Sequence, residues 1–223
     1  MTEANTLERL MRARHSCRGF LPVALNDAVV DRILTIAQLS TSWCNAQPWQ
    51  IIVTRGAATE RFRAALQAHV TAAAPHPDIP FPAEYSGVYR ERRRACAGQL
   101  YGVVGIAMGD RLASTGQAAE NFRLFGAPHV AIVTTAAALG PYGAMDCGAY
   151  VAAFMLAATA LGVATITQAS IAAHAGFVRT HFDIPTTRHV VCGISFGLAD
   201  PDHPANGFRT SRATLSEVVT RHT

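Results

Sequence analysis

The sequence predicts an α+β fold, and three observations carry that prediction. Apolar residues recur at helical spacing through most of the chain, extended apolar runs are few, and no segment repeats another. At 223 residues the chain is long enough to bury a substantial core as one domain, 1–223. Half of the residues are hydrophobic and 15% are charged, a balance that excludes a disordered polymer.

Leu7, Leu10 and Met11 mark a first helix that ends in the basic segment Arg14 to Arg18. Asn26 suits the N-cap of a second helix, whose apolar stripe is Val29, Val30, Ile33, Leu34 and Ala37. A turn from Trp43 to Pro48 leads into a strand, Trp49 to Thr54. Phe62, Leu66 and Val70 predict a third helix, stopped by the proline-rich loop Pro75 to Pro82. An arginine-rich helix follows around Tyr89 to Met108, then a strand over Val130 to Thr134.

Met145 to Leu161 is apolar on nearly every side, so it must be buried. It contains Asp146 and is short for a bilayer span of about 20 residues, which argues against a membrane role. Its natural neighbours are the sheet on one side and another subunit on the other. A strand at Val163 to Thr167, a helix at Ala172 to His181 and a strand at His189 to Phe196 complete the pattern, before a polar tail.

The net charge is +4, and every one of the 19 basic side chains is arginine. Apart from Arg90 to Arg94 they are scattered, unlike the dense stripe of a nucleic-acid binder. Arginine suits planar, two-pronged recognition of phosphate or carboxylate. The five cysteines show no C-x-x-C spacing and no apolar leader opens the chain, which points to a reducing cytoplasm. The nine histidines show no ligand spacing, so no metal is expected.

Three segments carry chemistry. Arg14-His15-Ser16-Cys17-Arg18 sets two guanidiniums around a hydroxyl just past a helix end. Taken alone, it reads either as an anion site or as cations complementing a helix C-terminus. Asn206-Gly-Phe-Arg-Thr-Ser-Arg212 repeats two arginines around hydroxyls, and reads alone as a solvated segment. Ser42-Trp-Cys-Asn-Ala-Gln-Pro-Trp49 holds the amides Asn45 and Gln47 before a strand, suited to a heterocycle edge or to a plain turn. Dinucleotide, P-loop and nucleophile-elbow signatures are missing, as are paired carboxylates. Such a chain suits a bound cofactor that does the chemistry.

These motifs, in order, resemble the FMN-dependent nitroreductase family, and most of all its nitrobenzoate-reductase-type members. Arg14 to Phe20 resembles the family's R-x-S-x-R-x-F opening, and Ser42 to Trp49 its P-S-x-x-N-x-Q-P segment. Asn121 to Pro128, Leu161 to Ala169 and His203 to Arg212 continue the likeness, which covers about Leu7 to Val219. The resemblance implies a mostly antiparallel sheet surrounded by helices, a helical lid inserted at about 75–125 and a domain-swapped C-terminal tail. It implies a homodimer whose two FMN sites are shared between subunits.

Carried over residue by residue, Arg14, His15, Ser16, Arg18, Arg209 and Arg212 would hold the phosphate or a ring oxygen. Thr41, Ser42, Trp43 and Asn45 would approach the flavin, in many members from the other subunit, whereas Gln47 serves as scaffolding. Thr167, Gln168 and Ala169 match the loop whose backbone N–H faces flavin N5. Two departures stand out: Thr41 replaces the usual proline, which loosens the turn, and arginines stand where some relatives have lysine.

The implied activity moves hydride from NADH or NADPH through flavin N5 to a flat, electron-poor acceptor, a nitroaromatic or quinone, by ping-pong turnover. Tyr85, Tyr89 and Phe122 are candidate substrate contacts. The alternatives are an FMN-dependent dehydrogenase or dehalogenase, or a flavin carrier without turnover.

Overall fold

Four strands form one antiparallel sheet in the order β1-β2-β4-β3: β1 (Gln50–Arg55), β2 (His129–Ala136), β3 (Ala164–Gln168) and β4 (Arg188–Gly197). The computed structural model describes residues 2–222. Gln50 faces Thr134, Val130 faces Ser195 and Thr165 faces Phe196, so β2 and β4 are the central, most buried strands. A bulge at Val133/Thr134 gives β4 one extra residue there. The chain just after the first helix adds to the β3 edge: Ser16 pairs in parallel with Thr165, and Cys17 N donates to Thr165 O at 3.0 Å.

One face of the sheet carries α2 (Asp27–Ala37) and α6 (Gly140–Ala160), joined through Ile33, Trp49, Tyr150, Phe154 and Phe196. The other carries α3 (Ala57–Ala72), α7 (Ala169–Ala172) and α8 (Ala175–His181) over Phe62, Leu66, Ile132, Ile171 and Val190. α1 (Glu3–Ala13) lies against α6, and Thr2 caps it by accepting from Asn5 N. Asn26 caps α2 through Ala28 N, as the sequence indicated. By length and apolarity Ala137–Ala160 would also suit a membrane, but it is the core helix here. Its Tyr150 and Phe154 are sealed against the sheet, and its buried Asp146 accepts from Trp43 N at 3.1 Å.

Several boundaries differ from the sequence reading. The arginine-rich helix is α4 (Gly87–Val103) and stops short of Met108, because Gly105 takes a left-handed turn at φ 73°. A separate α5 (Arg111–Ala119) follows, capped by Asp110 accepting from Ala113 N. The helix expected from Ala172 to His181 is broken between α7 and α8. α6 begins ahead of Met145, with Pro141 in its first turn. The tail gains a short helix, α9 (Leu215–Val218), closed by a Thr214/Glu217 capping box. Within the described residues the tail returns to its own α4 through the Arg92–Glu217 ion pair.

Burial depresses the pKa of His129, His174 and His181, and the neighbouring His69 pushes His174 down further. His174 is 4% exposed, and its Nδ1 is buried with no hydrogen-bond partner. The unfolded chain takes up protons at these sites near the ordinary histidine value, about 6.5, while the folded chain resists them. Stability is therefore full above about pH 6.5 and falls as pH drops toward the depressed folded values, by at most about 1.4 kcal/mol per pH unit per histidine. A thermal midpoint that declines from pH 7.5 to 5, and declines less steeply in His174→Phe, is the expected result. Parallel slopes for the two proteins would remove His174 from this account.

Candidate functional site

Arg14 is the C-cap of α1, so the next residues leave the helix extended and run alongside β3. From the far end of the chain, Phe208 to Arg212 crosses the same region. Together they line a cavity of about 840 Å³ containing Arg14, His15, Ser16, Arg18, Arg209 and Arg212. Glu8, Met11, Arg12, Cys96, Phe208, Thr210 and Ser211 complete its wall. The convergence of the two arginine clusters is thus a property of a single chain.

Asn206 joins them. Its Oδ1 accepts from Arg18 N at 2.7 Å, and its Nδ2 donates to Gly19 O at 2.8 Å and Asp200 O at 2.9 Å. Gly19 is needed for this closure, since a Cβ there would fall 2.2 Å from the His203 ring. Asn206 was visible in the sequence only as a motif member. Its fastening role depends on partners nearly the whole chain away.

Arg14, Arg18, Arg209 and Arg212 have no carboxylate partner among the described residues. Arg209 Nη1 donates to Asn206 O and Phe208 O, both at 2.8 Å, and Arg212 Nη1 donates to Thr210 Oγ1 at 2.9 Å. Arg18 donates to Ser16 O at 3.2 Å and lies over the Phe208 ring, 5.8 Å from its centroid. Burial, and then the facing Arg212 guanidinium, lower the pKa of Arg14. Burial leads the lowering of His15 too, with Arg209, Arg14 and Arg18 adding to it. His15 Nδ1 lies 3.0 Å from Ala13 O, while its Nε2 is buried with no partner. Four arginines without carboxylate partners around one cavity give it a positive lining, the electrostatic setting that favours an anion.

The Ser42–Trp49 segment stands elsewhere. A 3-10 turn, Trp43–Asn45, places Cys44, Asn45 and Gln47 at positive φ (52°, 55° and 46°), uncommon for residues other than glycine. The substitution of Thr41 does not leave this turn loose. Ser42 Oγ accepts from Gln47 N at 2.9 Å, Asp146 holds Trp43 N, and Arg188 donates to Pro48 O at 2.8 Å. Trp43 is 60% exposed, and its ring meets Tyr142 at 4.5 Å between centroids. It borders a second, more apolar cavity of about 320 Å³ with Leu139, Tyr142 and Asp146. Within one chain the structure therefore does not bring Thr41–Asn45 to the arginine cavity.

Thr167, Gln168 and Ala169 form the β3–α7 corner, one short step along β3 from Ser16's pairing partner. The Gln168 side chain is buried structural glue: Ser195 Oγ donates to its Oε1, and its Nε2 donates to Asn121 O at 2.7 Å. Tyr85 and Tyr89 are exposed on the insert, with Arg93 over the Tyr85 ring. Phe122 packs edge-on against His174 in the core on the α3 side. None of these three rings lines either cavity. Burial raises the thiol pKa of Cys17 and Cys147, the latter to about 11, so both are poor nucleophiles.

An antiparallel sheet wrapped in helices, with an arginine-lined cavity at its edge, defines an α+β protein. Comparison with known proteins narrows the class. The nitroreductase family model matches residues 11–198. Nitroreductase NfnB of Mycolicibacterium smegmatis is 36% identical over 220 residues, covering 97% of this chain and 92% of that protein. The 4-nitrobenzoate reductase of Pseudomonas putida is 29% identical over 205 residues, covering 92% of this chain and 90% of its own length. The crystal structure of the FMN-dependent nitroreductase NfnB from Mycobacterium smegmatis in complex with NADPH superposes with a TM-score of 0.95 at 33% identity, covering all of both chains. This chain belongs to the nitroreductase family.

Proposed function

We propose that this protein is an FMN-dependent oxidoreductase that uses NADH or NADPH to reduce nitroaromatic compounds. The arginine cavity is the observation that carries the reading, because its residues fit a phosphorylated cofactor. The guanidiniums of Arg14, Arg18, Arg209 and Arg212, none of them paired with a carboxylate among the described residues, and the Ser16 hydroxyl supply donors for an anion. Glu8, the one carboxylate in the wall, is already engaged by Arg12. Relatives described as FMN-dependent and NADPH-bound support the same assignment.

Bound FMN supplies a ring that accepts a hydride from the nicotinamide and passes reducing equivalents to the acceptor. Arg14, His15, Ser16 and Arg212 hold the phosphate, with Arg209 alongside. Arg18, stacked on Phe208 and more enclosed, carries a fixed positive charge suited to a ring that becomes anionic on reduction. Thr41, Ser42, Trp43 and Asn45 close over the ring from a second copy of the chain. Support for that copy lies in exposed apolar residues of the core helix and turn, Met145, Leu139 and Trp43. Thr167 to Ala169 present backbone to the ring edge. The insert at about 75–125 acts as the lid, with Tyr85 and Tyr89 as its aromatic contacts. Phe122, half-buried and edge-on to His174, supports the lid base rather than touching substrate. A cytoplasmic location belongs to the same reading, whereas the tail packs on its own chain, where Phe208 to Arg212 lines the arginine cavity, rather than crossing to a second copy.

The purified protein should be yellow, bleach on anaerobic addition of NADH or NADPH, and recover its colour when a nitroarene is added. A colourless protein that neither retains nor binds added FMN would refute this function.

A further inference from the structure

The carboxamide of Asn45 sits at the end of a hydrogen-bonded chain that begins in the core. Trp49 is 6% exposed, and its indole Nε1–H donates to Gln38 Oε1 at 2.9 Å. Gln38 Nε2 donates to Gln47 Oε1 at 3.0 Å, and Gln47 Nε2 donates to Asn45 Oδ1 at 3.1 Å. An indole nitrogen only donates, so it dictates which end of Gln38 faces it. That choice dictates the orientation of Gln47, and Gln47 that of Asn45. Among the described residues nothing accepts from Asn45 Nδ2. The chain thus ends with a free NH2 group on a backbone held in the left-handed region at φ 55°.

We propose that Gln38, on the C-terminal end of α2, is a positioning residue that makes Asn45 an obligatory donor toward a ring acceptor of the flavin. The inference rests on the flavin reading above and adds a direction to it: a carbonyl oxygen or bare ring nitrogen, not a ring N–H, faces Asn45. Gln38 touches no ligand itself and acts through Gln47.

Gln38→Glu provides an inverting test. The introduced carboxylate still accepts from Trp49 but cannot donate to Gln47. Gln47 turns to donate to that carboxylate, its oxygen then faces Asn45, and Asn45 turns its own oxygen outward. Acceptor then meets acceptor. Gln38→Met keeps the length but breaks the chain without reversing it, leaving Asn45 free to choose. The expected order of FMN affinity, measured by quenching of flavin fluorescence on the full-length apoprotein, is wild type, then Gln38→Met, then Gln38→Glu, with the last at least about tenfold weaker than wild type. A purely structural role gives the opposite order for the two variants, because glutamate alone preserves the Trp49 hydrogen bond.

In an Asn45→Ala background the two substitutions should become equivalent for FMN affinity. Thermal midpoints measured without FMN separate lost fold from lost orientation. Gln38→Glu binding as tightly as Gln38→Met, or a difference that persists without Asn45, overturns the inference. A wild-type protein that binds no FMN overturns instead the reading on which it rests.

Discussion

The double substitution Arg14→Ala/Arg212→Ala should weaken FMN binding by about two to four orders of magnitude while leaving the protein folded. Each removes a charge-assisted contact worth about 1.5–3 kcal/mol, and contacts to one phosphate do not add fully. The two guanidiniums face each other without a carboxylate between them, and Arg212 lowers the pKa of Arg14 after burial has done so. In the absence of an anion they repel. The apoprotein should therefore hold its thermal midpoint or gain slightly, an outcome opposite to the loss of a structural ion pair. Flavin retention on gel filtration and titration of the apoprotein measure the first effect, and calorimetry without FMN the second. Wild-type affinity in the double variant would refute the phosphate clamp. Arg14→Lys should give an intermediate affinity, because the charge remains but the planar fork is lost.

Asp78→Ala should cost about 2–4 kcal/mol and lower the thermal midpoint by about 5–15 °C. Asp78 lies in the proline-rich loop after α3, where local pattern suggests only a linker. Its Oδ2 accepts from Val190 N at 2.8 Å, beside the bulge of β4, and also from the Arg179 guanidinium of α8. The paired side chains are only 9% and 19% exposed. Alanine strands both a ladder N–H and a mostly buried cation, and the loop loses its attachment to the sheet. Asp78→Asn keeps an acceptor for Val190 and should lose roughly half as much. Urea unfolding of the three proteins decides it. Equal midpoints for wild type and Asp78→Ala would show that solvent satisfies both groups.

Helical stripes such as Val29, Val30, Ile33, Leu34 and Ala37 were legible because burial on one helix face repeats every three to four residues. The strands read correctly to within a residue or two at most boundaries, and the motif order revealed the family. Breaks were less legible. α4 is followed by Gly105 at positive φ, and α7 and α8 are separated at His174, whose φ −113° and ψ 44° are not helical. Periodicity averages such single residues away. Phe122 read as a candidate substrate contact, yet it lies half-buried against the core, edge-on to His174 from another element. The same limit hid Asn206, Asp78 and Gln38 as organisers, because each acts through partners on other elements.

The α+β class, the family and the residue types proposed for a phosphate and flavin site were all readable before folding. They depend on local spacing and on side-chain chemistry, both of which are written along the chain. That Arg14–Arg18 and Arg209–Arg212 share one cavity, and that Thr41–Asn45 stands apart from it within one chain, emerges only from the folded molecule. So does the direction of the Asn45 amide, which a buried indole dictates through two glutamines. Hydrogen bonds between distant segments have direction and length, and neither exists until the chain has folded.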